Sequence, residues 1–98
     1  MIKAEISFDL IMEEDMGFVE GTYRLPASDW QVFIFSSCPI ERPEVDINAK
    51  WSSGITGVHV GFPKAQKLNK AVVLRVLSDA LGVTEWQEVK GPDSMKLR

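Results

Sequence analysis

The sequence predicts an α+β fold, a two-layer sandwich in which an antiparallel sheet of five or six strands carries one main helix, residues 69–81, packed on one face. Three observations predict it. Residues 2–12 and 45–51 alternate apolar and polar side chains with period two, the signature of half-buried strands. Residues 69–81 repeat apolar side chains with helical spacing. Short turns separate five successive strand-like runs before the helix begins. A sheet curled barrel-like around the helix satisfies the same pattern and is the alternative.

In the first run Ile2, Ala4, Ile6, Phe8, Leu10 and Met12 alternate with Lys3, Glu5, Ser7 and Asp9, and only Ile11 breaks the phase. Glu13-Glu14-Asp15-Met16-Gly17 reads as a turn closed by a glycine. The second strand, Phe18 to Leu25, turns Val19, Gly21, Tyr23 and Leu25 inward and ends at Pro26, which has no N–H for a ladder.

Trp30 to Phe35 is apolar on both faces, the mark of a central or doubly covered strand. With Trp30, Val32 and Ile34 set against the helix, Phe33 and Phe35 look out from the far side. Residues 36–43 form a loop around two prolines.

Val45, Ile47, Ala49 and Trp51 share one face of a fourth strand, and Ser52-Ser53-Gly54 turns into a fifth, Ile55 to Phe62. There His59 sits between Gly57 and Gly61, leaving room for an aromatic ring from a neighbouring strand, with Trp51, Phe33 and Phe35 as candidates.

Asn69 suits the helix N-cap and Gly82 the left-handed residue that ends it. Val73, Leu74, Val76, Leu77, Ala80 and Leu81 fall in one arc, with Arg75, Ser78 and Asp79 opposite, so the helix lies against a flat apolar layer. Val83 to Val89 is a short last strand at an edge. Gly91-Pro92 stops it, and residues 91–98 form a mobile tail to a single domain spanning 1–98.

Composition narrows the classes of function. With 45% hydrophobic and 26% charged residues the chain is an ordinary soluble globular domain rather than a disordered one. The longest apolar runs, residues 32–35 and 71–74, fall far short of the roughly 20 needed to cross a bilayer. One cysteine, Cys38, and an N-terminus without a secretory layout point to a reducing, cytoplasmic setting. The net charge of −3 divides unevenly: residues 1–50 hold ten acids against four bases, and the remainder seven bases against four acids. Without a dominant basic field, nucleic acid is not the expected partner.

The chemistry-bearing residues do not converge on a reaction. One cysteine, one histidine and an acidic turn without the alternating spacing of a calcium loop predict neither a metal nor a cofactor. A Cys38/His59 nucleophilic pair requires the fold to join them. Lys64, Lys67 and Lys70 lie near the helix start, where backbone N–H groups and the helix dipole attract anions, but no glycine-rich loop accompanies them. On the register above, the sheet face away from the helix collects Arg24, Phe33, Phe35, Lys50 and His59 and is the principal candidate surface. The expected function is a non-catalytic interaction or regulatory module, self-associating as a homodimer or meeting a protein partner through that face. The alternative is a small-ligand or anion-binding domain, an enzyme included, using His59 or the lysine-rich helix start.

Overall fold

The computed structural model describes residues 1–13, 17–38 and 40–92. The chain runs β1 (Lys3–Met12), β2 (Phe18–Arg24), β3 (Gln31–Ser37), β4 (Glu44–Lys50), β5 (Thr56–Phe62), α1 (Lys70–Leu81) and β6 (Glu85–Glu88). The six strands form one sheet in the order β4-β5-β3-β2-β1-β6. The sheet is open, so the curled barrel does not form. It is also mixed rather than purely antiparallel, because β5 lies parallel to β3 and β6 parallel to β1. The cause is connectivity. Hairpin β4–β5 docks on β3 through its second strand, and the helix carries the chain across the sheet to the opposite edge, where β6 joins β1. Among the described residues no helix is long and apolar enough to cross a membrane.

Helix α1 has the predicted boundaries for the predicted reasons. Asn69 is extended, and its side-chain oxygen accepts from the Val72 N–H at 3.0 Å. Gly82 takes φ 71° and donates its N–H to the Ser78 carbonyl, satisfying one of the last orphan acceptors. Val73 and Leu77 are fully buried; Val72, Leu74, Val76 and Leu81 pack around them. Trp86 of β6 donates its indole N–H to Ser78 Oγ at 2.8 Å, tying the last strand to the helix.

The core lies between helix and sheet. Residues directly opposite each other in a ladder share a face, and the pairs Ile6–Tyr23, Val19–Phe35, Gly21–Phe33, Phe33–Val58 and Phe35–Val60 assemble one continuous apolar layer. Phe33 and Phe35 therefore face the helix, and Val32 and Ile34 face away, the reverse of the expected phase of β3. A strand apolar on both sides has no alternation of its own, so its neighbours set its phase. Here the aromatic pair interlocks edge-on at 5.8 Å, and Phe8 and Phe62 extend the stack.

Two bulges explain the other departures. In β1, Phe8 opposes Gly21 and Leu10 opposes Glu20, leaving Asp9 as an extra residue. Beyond it the phase inverts. Ile11, the residue that broke the sequence alternation, now opposes core Val19, and Leu10 and Met12 turn to the other face, where they are exposed. In β4 the shift falls between Asp46 and Ala49. Val45, opposite Val60, is on the helix side and Ala49, opposite Gly57, is on the far side, so the apolar residues of β4 do not share a face.

The face away from the helix is not bare. Gly91 lies against Thr22 and Ser7 so closely that a Cβ there would stand 2.8 Å from Ser7 Cβ. Gly91 and Pro92 are half-buried, and the rest of the expected tail, 93–98, lies outside the described residues. At the other end Ile40 and Cys38 stand over Gly61. Val32, Ile34, Thr22 and Glu20 are all buried on this side.

Candidate functional site

The residues singled out from sequence disperse over the molecule and form no single site. Phe33 and Phe35 are wholly buried in the core and line no surface. Arg24 is exposed at the end of β2. Its Nε and Nη2 both donate to Glu5 Oε1, and its guanidinium lies 4.9 Å from the ring centre of Trp30. Beside it opens a cleft of about 380 Å³ whose walls include Lys3, Glu5, Gln87 and the turn from Leu25 to Ser28. In that turn Ala27 takes a positive φ of 58°. Because Glu5 neutralises Arg24, the cleft offers no free guanidinium to an anion.

His59 sits half-buried on β5 with Ile34 opposite it on β3 and Asp46 opposite it on β4. Its Nε2 is 3.4 Å from Ser36 Oγ, a long contact whose proton is set by the imidazole tautomer. Ser36, His59 and Asp46 thus share one face across three adjacent strands. Asp46 Oδ1, however, accepts from the Asn48 N–H at 3.0 Å, so it serves the bulge. Among the described residues His59 hydrogen-bonds Ser36 and not Cys38, and no cluster of three or more His, Cys, Asp or Glu side chains is placed to hold a metal. The glycines flanking His59 have separate reasons. Gly57 admits the Val32 backbone and Gly61 admits Ile40 and Cys38, rather than the ring of Trp51, Phe33 or Phe35 expected there; the ring that does lie across a glycine is that of Phe33 over Gly21 on β2.

The lysines at the helix start also divide. Lys64 and Lys67 are exposed. Lys70 is engaged, its Nζ 2.9 Å from Glu88 Oε2 and 5.2 Å from the ring centre of Phe8. That pairing removes one of three cations from the anion site the sequence pointed to.

Sequence reasoning missed the apolar surface that the fold leaves uncovered. Strand β4 is the outer strand beyond β5, and six of its seven residues are exposed. Val45 is 49% exposed and Ile47 47%, and Lys50 stands exposed at the strand's end. The other outer strand, β6, has only four residues, Glu-Trp-Gln-Glu. A signal was present, since the alternation in β4 includes Glu44, Asp46 and Lys50, charges typical of a guarded edge. Comparison of the chain with known protein families, curated proteins and solved structures finds no match in any of them.

Proposed function

We propose that this protein is a small, non-catalytic interaction module that docks a partner along the outer edge of β4. The observation that carries the reading is the exposure of Val45 and Ile47 on a seven-residue outer strand. An outer strand presents a row of backbone donors and acceptors that an incoming extended segment can satisfy, and exposed aliphatic side chains beside that row supply the apolar contact. The apolar surface expected on the helix-free face is thereby relocated to the sheet edge. Phe33 and Phe35 are buried and take no part in this edge, whereas Lys50 stands exposed at its end.

The test is a titration of the labelled protein with short extended peptides of alternating apolar and charged sequence, followed through backbone amide resonances. Shifts clustered on residues 44–50 are expected. Shifts confined to β6 or to the His59 face, or none with any peptide, would overturn the reading.

A second reading rests on the His59–Ser36 contact, which sets a titratable ring and a hydroxyl on a half-buried face suited to a small polar ligand. A compound that raises the melting temperature of the parent protein but not of His59→Ala would favour it over the edge.

A further inference from the structure

We infer that the segment docking on β4 is a short extended peptide of a partner protein in which one aliphatic residue stands between two cationic ones. The inference rests on the reading of β4 as a docking edge and adds the chemistry and register of what docks. The bulge limits the edge. Ile47 and Asn48 together oppose Val58 alone, and the Asn48 N–H is taken by Asp46 Oδ1. The ladder open to an incoming strand is therefore the regular stretch from Glu44 to Asp46.

Within that stretch the two faces differ. Glu44 pairs with Gly61 and Asp46 with His59, so both carboxylates point to the helix-free face, whereas Val45, opposite Val60, points to the helix side. All three residues are exposed. Among the described residues the ion pairs are Arg24 with Glu5 and Lys70 with Glu88, and neither Glu44 nor Asp46 is held by a cation. Lys50 lies beyond the bulge, opposite Thr56 and on the other face, so it does not neutralise them. Residues directly opposite each other in a ladder share a face. An incoming strand thus sets its residues i and i+2 against the two carboxylates and its residue i+1 against Val45. Two cations flanking an aliphatic side chain meet those demands, and the motif reads the same in either strand direction. The hollow at the start of the strand extends the preference. It encloses about 590 Å³ between Ile40, Glu41, Arg42, Pro43 and Glu44, two carboxylates against one guanidinium. The other outer strand offers less, because of the two acids of β6 Glu88 is already held by Lys70.

Backbone amide shifts of the labelled full chain, titrated with three capped peptides, test this: Thr-Lys-Val-Lys-Thr, the same residues in the order Thr-Lys-Lys-Val-Thr, and Thr-Glu-Val-Glu-Thr. The first is expected to shift residues 44–46 and to bind about tenfold more tightly than the third, because two cross-strand charge pairs turn from repulsion to attraction. It should bind about threefold more tightly than the second, which carries the same charge but sets a lysine against Val45. Glu44→Lys, a change at an exposed position, should bring the basic and acidic peptides to within about twofold of each other. Its amide spectrum away from β4 checks that the fold is intact. Equal binding of the two basic peptides would mean attraction by net charge alone. That result, a preference for the acidic peptide, or an unaltered preference in Glu44→Lys would overturn the inference while leaving β4 an edge for a different partner. A β4 silent toward every peptide would sink the edge reading as well.

Discussion

The ring of Phe33 lies directly over Gly21 on the neighbouring strand, so close that a methyl group on Gly21 would stand 2.5 Å from Phe33 Cζ and press against the Ser7 carbonyl oxygen. That pairing sets the phase of β3 and buries both phenylalanines, and with them the surface the sequence had reserved for function. Gly21→Ala is therefore expected to destabilise the fold by at least about 1–3 kcal/mol, the usual cost of overpacking, since one of the obstructing atoms is backbone and cannot rotate away. Urea unfolding of the variant against the parent measures it, and equal midpoints would show that the core is looser than this contact requires.

The exposure of Ile47 against the burial of Phe35 yields a second expectation. Phe35→Ala should cost about 3–5 kcal/mol through lost burial and the cavity it leaves. Ile47→Ala should change monomer stability by less than about 1 kcal/mol, because the residue is already 47% exposed to water. Chemical denaturation at a concentration low enough to keep the chain monomeric separates the two. A costly Ile47→Ala would mean that β4 is part of the core and not a free edge.

Tyr23 provides a pH dependence that can be read from a single chromophore, since it is the only tyrosine in the chain. Burial raises its pKa above the ordinary 10.0 by desolvating the phenolate, and its ring stands edge-on to Trp86 with centroids 6.5 Å apart. Above pH 10 the unfolded chain loses this proton while the folded chain keeps it. The unfolded state then binds fewer protons, and stability falls as pH rises until the folded-state pKa is passed. The contribution is fully present below the unfolded value and declines by up to about 1.4 kcal/mol per pH unit above it. Tyr23→Phe should lack that component of the alkaline loss. Tyrosinate absorbance of the folded parent should rise only at higher pH than in denaturant, and coincident titration curves would refute the burial argument.

How much was legible in the sequence depended on whether a segment carried its own phase. The helix was readable to the residue, from Asn69 to Gly82, because its caps and stripe are local signals. The inward faces of β2 and β5 were readable too, since only one side of each is apolar enough for a core. Trp30 to Phe35 was not readable in that sense. Its phase follows from the gap at Gly21, and a large aromatic opposite a glycine in the next strand was the one clue available. The site suffered from the same ambiguity, because placing Phe33 and Phe35 outside created an apolar patch on the wrong face. The bulge in β4 hid the real one, since an inserted residue leaves the sequence alternation intact while dividing its side chains between two faces.

By itself the sequence determined the α+β class, the number and approximate limits of the strands, the helix with both caps, and the inward faces of β2 and β5. These follow from backbone stereochemistry and from the periods of helix and strand, which act within a few residues. Only the tertiary structure decided the mixed sheet and its strand order, the phase of β3, the two bulges, the pairing of Lys70 with Glu88, and the position of β4 at an edge with Val45 and Ile47 in water. Each of these depends on which distant segments meet, and a close-packed interior settles that by fitting volumes, such as Phe33 over Gly21, that lie far apart along the chain.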